Sequence, residues 1–539
     1  MNDKKRLLPV PTADQHGYCL LLSLWAVLSV LSPRETAAQA TGNNGAPRLV
    51  VSILVDQLRA DYLDAFMPLY GENGFKKLLR EGRIYSQADY PMACPDLASA
   101  AATFATGAAP SSHGIVGRQW IDRKTLRPIF CVDDATKSVT DRSSAIHLSV
   151  STIGDELKIA SQGKAMVYAV APMREAAVLT AGHAADAAIW IDDNTGRWTT
   201  SSYYGGLPSF AGVRNSVSDI VNQPDKLQWT PTSDLVGNFS YFLSGGMKKP
   251  FSHRLKGDNR FALFKTSGLV NDEVAATVET LVGSTVMGSD AVPDHLAVTF
   301  YAGIYAGETE DAASMELQDT YVRLDKALER VITAVERKTG RNNALFVLTS
   351  TGYATESQTD LSTYRIPTGT FDVQRASALL NIYLTAIYGQ GNYIEASLGT
   401  QFYLNHKLIN DKQISLSELL QRTEDFLVQL EGVKNVFTSK RLIQGAWTPG
   451  ISKIRGGYNP QCSGDVMIEV SPGWHYTNSQ TGERRYVRES YIPYPIIFWG
   501  ADIEAQTIGT PVTVDCIAPT LSKAMRIRAP NACAAAPLF

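Results

Sequence analysis

The sequence predicts an α/β fold, with a mostly parallel central sheet covered by helices on both faces. Two observations predict it. Strand-length apolar runs, many of them β-branched, recur at 49–55, 164–171, 187–191, 295–301 and 344–349, too continuous for strands that are wet on one face. Between them lie segments with helical spacing, the clearest being Met315 to Gly340, where Leu317, Tyr321, Leu324, Leu328 and Ile332 fall on one face. Strands and helices alternating through right-handed crossovers build a sheet buried on both sides.

In chain order, the strand ending at Asp56 comes first, and Gln57 onward has the acidic first turns of a helix. Asp56 therefore falls where a central strand ends, the place where ligands of open α/β sheets collect. It suits a metal ligand or a helix N-cap. A short helix ending in glycine spans Gly74 to Gly82, and Asp96 is placed to cap the alanine-rich helix that follows it. Helix Ser149 to Ser161 precedes the strands at 164–171 and 187–192. Residues 200–290 lose the strand–helix rhythm, as do 370–480, so both are expected insertions, the second holding a helix from Leu416 to Leu430. Strand Tyr494 to Trp499 and helix Ile517 to Met525 close the chain.

Composition restricts the function classes. The 539 residues carry 19% charged side chains and a formal net charge of −3, with no basic tract of five or more, so nothing calls for a nucleic-acid partner. Lys4, Lys5 and Arg6 precede an apolar run from Cys19 to Leu31, and Ala38-Gln39-Ala40 follows. That pattern is a secretory signal peptide over residues 1–40, with an uncleaved anchor as the alternative, and it predicts a periplasmic or secreted protein with no membrane span after cleavage. Cys94, Cys131, Cys462, Cys516 and Cys533 then remain without any C-x-x-C pair, and one or two disulfides suit that compartment.

A resemblance covers nearly the whole mature chain. The pieces Val55-Asp56-Gln57-Leu58-Arg59, Thr106-Gly107 with His113-Gly-Ile-Val-Gly117, Thr152 to Leu157, Ala181-Gly-His183, Tyr403 to Leu408, Ser463-Gly-Asp-Val466 and Pro472-Gly-Trp474 follow the order of the alkaline phosphatase superfamily. More narrowly, the chain resembles the periplasmic phosphate-irrepressible alkaline phosphatases and type I phosphodiesterase/nucleotide pyrophosphatases. The resemblance implies one domain over 41–539, an α/β/α sandwich with inserted cap segments. It also implies two zinc ions, held by an Asp after the first strand, an Asp and a His four residues apart, an Asp-His pair and a late His, beside a Thr or Ser nucleophile.

This sequence keeps only Asp56 of that set. Leu97 stands at the nucleophile position, Tyr301 and Tyr305 at the Asp-x-x-x-His positions, Thr351 and Gly352 at the Asp-His pair, and Ile492 or Pro493 near the late His. Arg118 replaces the phosphate-gripping asparagine, while Met173 and Glu175, with Arg174 between them, replace a Lys-x-Arg brace. Zinc needs nitrogen, sulfur or carboxylate donors, and these residues offer few. The expectation is a secreted pseudoenzyme without catalytic residues, metal or cofactor. Asp56, Arg118, Arg174, Tyr301 and Tyr305 are then candidates for binding an anionic small molecule or glycan, with an envelope protein as the other partner class.

The alternative is an active metal-dependent phosphomonoesterase or phosphodiesterase with a relocated site. Asp96, Glu308, Glu310 and Asp311 could join Asp56 around a hard cation, against a bland reading as caps and solvated loop. Ser99 and Thr103 are the nearest hydroxyls to position 97, and His113 and His183 sit in turns as structural histidines. Asp294-His295 precedes its strand and so belongs at the opposite end of the sheet from Asp56.

Overall fold

The computed structural model describes residues 45–137, 142–236, 250–307, 313–354, 364–445, 449–487 and 492–539. The expected signal peptide and the carboxylates Glu308, Glu310 and Asp311 lie outside the described residues.

Nine strands form the main sheet: β1 (Leu49–Asp56), β2 (Arg83–Tyr85), β3 (Val167–Val170), β4 (Ala187–Ile191), β5 (Trp198–Thr199), β6 (Asp294–Tyr301), β7 (Ala344–Ser350), β8 (Ile496–Gly500) and β9 (Gln506–Ile508). Their order is β9-β2-β8-β7-β1-β6-β3-β4-β5. All eight residues of β1 are buried, as continuous apolar runs require when helices cover both faces. β1 pairs in parallel with β6 and β7, and β3 and β4 continue the parallel set. β8 runs antiparallel between β7 and β2, and β5 is antiparallel to β4. The mostly parallel sheet is as expected, and the reversed direction of β8 is something periodicity does not encode.

Three helices set the site. α1 (Leu97–Thr106) is buried along its whole length, and its alanines let it pack closely on α2 (Arg174–Ala181). Asp96 caps α1 by accepting from Ser99 N at 2.9 Å, as the sequence predicts. α3 (Ser314–Thr339) places the expected stripe of Leu317, Tyr321, Leu324, Leu328 and Ile332 in the core. The helix expected directly after Asp56 starts later, at Ala60, because Gln57 adopts a left-handed φ of 64°.

Residues 364–487 carry a second core. A four-stranded antiparallel sheet (Ile394–Leu398, Gln401–Leu404, Val433–Thr438, Val466–Val470) packs against the helices Val373–Tyr388 and Leu416–Leu427. Asp465, its side chain 7% exposed, ties this region to the main one. It accepts from Arg123 Nη1 at 3.0 Å and Leu404 N at 2.8 Å and pairs with His406 at 2.8 Å.

Candidate functional site

The β1 register opposite Tyr301 and the adjacent end of β7 bring Asp56, Tyr301 and the segment Thr351–Tyr353 to one edge of the sheet. Asp56 is buried there. Its carboxylate accepts from Thr351 Oγ1 at 3.0 Å and from the Tyr353 hydroxyl, while Thr351 Oγ1 accepts from Gln57 N at 2.9 Å. Burial pushes the Asp56 pKa from 3.8 up to about 6. The two hydroxyl donors and Arg118 oppose that rise, and Glu175 adds to it. Tyr301 faces the same carboxylate charge, but its hydroxyl donates to Ile304 O at 2.8 Å. Tyr353 is the partner the sequence reading missed. A tyrosine three residues past a core strand carries no motif signal.

Arg118 sits at the mouth of this site with its side chain 55% exposed. Its Nε pairs with the buried Glu175 at 2.7 Å, its backbone N donates to Asp96 Oδ2 at 2.7 Å, and its guanidinium lies 5.5 Å from the Phe130 ring centroid. Among the described residues its terminal Nη1 and Nη2 have no hydrogen-bond acceptor. Arg174 lies 4.6 Å from the same ring but is committed elsewhere, to Asp133 at 3.0 Å and Ser143 Oγ at 3.3 Å. Of the two arginines expected in the cleft, one therefore has a free face. Tyr305 is also drawn off, its ring 5.1 Å from Trp229 and 4.7 Å from His253, inside an aromatic cluster supplied by residues 200–290.

The residues around Asp56 do not fit a pair of zinc ions. Gly352 has a φ of 74°, and a Cβ there would stand 2.5 Å from Tyr90 Cδ2 and 3.2 Å from the Tyr494 hydroxyl. Tyr90 and Tyr494, their ring centroids 6.0 Å apart, thus fill the space a side chain at 352 would need. Leu97 begins α1 as a buried core residue. Ser99 Oγ donates to Asp96 Oδ1 at 2.8 Å, and Thr103 Oγ1 shares a hydrogen bond with His113 Nε2 at 3.1 Å, so neither hydroxyl is idle.

The histidines are held elsewhere. His113 Nδ1 accepts from Ile115 N at 3.1 Å, and burial lowers its pKa to about 3. His183 bridges Asp155 at 2.9 Å and Leu148 O at 3.0 Å. His295 meets Ser52 Oγ at 2.9 Å at the amino half of the sheet, and Asp294 accepts from Met166 N and Gly288 N. Among the described residues no three His, Cys, Asp or Glu side chains converge as a metal site would require. Cys131, Cys462, Cys516 and Cys533 are thiols, which corrects the expectation of one or two disulfides as far as the described residues go.

The nine-stranded, mostly parallel sheet with a carboxylate at the end of its central strand superposes on the fold of a solved alkaline phosphatase, and that match sets the class: an alkaline phosphatase superfamily fold. Within that class, residues 50–491 match the family described as type I phosphodiesterase / nucleotide pyrophosphatase, and the chain belongs to that family. It is 28% identical over 528 residues to the alkaline phosphatase PafA of Elizabethkingia meningoseptica, covering 93% of this chain and 95% of that protein. It is likewise 28% identical over 509 residues to the alkaline phosphatase PhoV of Synechococcus elongatus, covering 90% of this chain and 91% of that one. The crystal structure of wild-type PafA superposes with a TM-score of 0.80 at 26% identity, over 92% of this chain and 98% of that chain. Among the described residues no helix is long and apolar enough to cross a membrane.

Proposed function

We propose that this chain is a non-hydrolysing member of its family, exported across a membrane, that binds an anionic ligand at the mouth of the former reaction centre. One observation carries the reading: Tyr90 and Tyr494 fill the space beside Gly352 that a metal-binding side chain would need. Leu97 supports it, because a buried alkyl side chain has no nucleophilic atom and no proton to lose. Arg118 supports the binding half, since a half-exposed guanidinium ion-paired with Glu175 still has two terminal nitrogens, donors of the kind that match oxyanions. Export rests on the amino-terminal sequence pattern alone.

An active phosphomonoesterase or phosphodiesterase is the competing reading, favoured by the alkaline phosphatases among its relatives. The purified mature chain is assayed with zinc, magnesium or calcium on p-nitrophenyl phosphate and its bis-ester. No turnover above the protein-free rate is expected. Turnover that disappears in Asp56→Ala would return the chain to the hydrolases.

A further inference from the structure

We propose that two copies of this chain associate through the outer face of the helix at residues 373–388, the two helices running antiparallel about a two-fold axis at Ile382. The inference is independent of whether the chain hydrolyses anything.

That helix, α4 (Val373–Tyr388), is apolar on two opposite faces. Val373, Ala376, Leu380 and Leu384 are buried in the second core. On the other face, at helical spacing, stand Arg375, Ala378, Leu379, Ile382 and Ala386, all exposed. Ile382 is 65% exposed and Leu379 38%. Arg375 is the one charged side chain in the helix. A helix that only covers a sheet turns polar residues outward, whereas one that is apolar all round is covered on both sides. The patch continues sideways onto α5 (Leu416–Leu427). Tyr383 stacks on Phe426 with ring centroids 4.6 Å apart, and Val428, just past the end of α5, is exposed.

The charges choose the occupant. Among the described residues the Arg375 guanidinium has no acceptor, and only its backbone N is bonded, to Asp372. At the other end of α4 the exposed Glu418 acts electrostatically on Tyr388, the last residue of the helix. A stripe with an unpaired cation at one end and a carboxylate beside the other is complementary to itself turned end for end. With the axis at Ile382, Arg375 of one copy stands opposite position 389 of the other, about 10 Å along the helix from the axis and next to Tyr388 and Glu418. Two-fold symmetry makes that contact twice. Between the two contacts Leu379, Ile382 and Ala386 meet apolar counterparts, and no polar side chain of the stripe is buried without a partner. A bilayer suits the face less well, because Glu418 and Asp425 are exposed on α5 where an anionic lipid surface draws on lysine and arginine. The helix is about 24 Å long, and with Phe426 and Val428 the contact buries roughly 1,000 Å² over both copies, the range of weak, reversible association.

The test is sedimentation velocity of the full mature chain from about 5 to 500 μM, a span that brackets micromolar dissociation constants. A monomer that converts to a dimer as concentration rises is expected. Ile382→Glu, checked for native circular dichroism, should weaken the dimer at least about tenfold, since it sets two like charges together on the axis. Arg375→Glu should weaken it about three- to tenfold, and Arg375→Glu with Glu418→Lys should restore it. A monomer at every concentration would overturn the proposal, as would a dimer that Ile382→Glu leaves intact. A dimer weakened by Ile382→Glu but not by Arg375→Glu would overturn the antiparallel arrangement. Flotation with phosphatidylcholine vesicles that is lost in Ile382→Glu, with no dimer in solution, would give the face to lipid instead.

Discussion

Replacing Asp56 by asparagine removes one charge from the end of the central strand and nothing else of comparable size. Burial has raised the carboxyl pKa from 3.8 to about 6, so the folded state holds this proton over a range where the unfolded chain has released it. Stability therefore falls as pH rises through that window and levels off above about 6. The full difference corresponds to about 3 kcal/mol at neutral pH. The carbonyl of the substituted amide can keep one of the two hydroxyl donors, Thr351 or Tyr353, so the realised gain is about 1–3 kcal/mol. Urea unfolding of both proteins at several pH values measures it. The asparagine form should be the more stable at about pH 7.5, with the advantage gone near pH 4. A variant less stable than the parent at about pH 7.5, or a gain that persists unchanged into acid, would refute the reasoning. Such results would mean that the ionised carboxylate is compensated by a partner, a bound metal among them.

Three further outcomes follow from the same geometry. Gly352→Ala combines a left-handed φ of 74° with a Cβ 2.5 Å from the Tyr90 ring, and should cost about 2–5 kcal/mol in urea unfolding, with part of the loss recovered by Tyr90→Leu. Asp465→Asn leaves Arg123 without its buried partner and should cost about 2–4 kcal/mol, with faster hydrogen exchange at 119–122 and 401–404. Denatured, unreduced protein should take up alkylating reagent at Cys131, Cys462, Cys516 and Cys533, whereas protection of any two would establish a disulfide.

The fold was legible because its signal is burial on both faces of the strands, a property of each strand's own residues. β1, β6 and β7 announce themselves by continuous apolar runs, and the cap of α1 by the Asp96–Ser99 pair. The direction of β8 was not legible, since an apolar run has no polarity. The site divides in the same way. Asp56 could be placed because it ends the apolar run of the first strand, and Arg118 because the resemblance aligns it with a phosphate-binding position. What surrounds them could not, because Tyr90, Tyr353 and Tyr494 come from three separate segments and nothing local marks a tyrosine as a neighbour of a carboxylate. Arg174 and Tyr305 are expected at the site only through the resemblance, as neighbours or replacements of family site residues. Their side chains went where stronger partners stood, Asp133 for the guanidinium and Trp229 with His253 for the phenol.

The most direct measurement is metal stoichiometry. Chelator-stripped mature protein is equilibrated with excess zinc, dialysed against metal-free buffer and analysed for zinc by mass spectrometry. With tyrosines standing where donors would be needed, zinc well below one ion per chain is predicted. About two ions per chain, reduced by Asp56→Ala, would contradict the account.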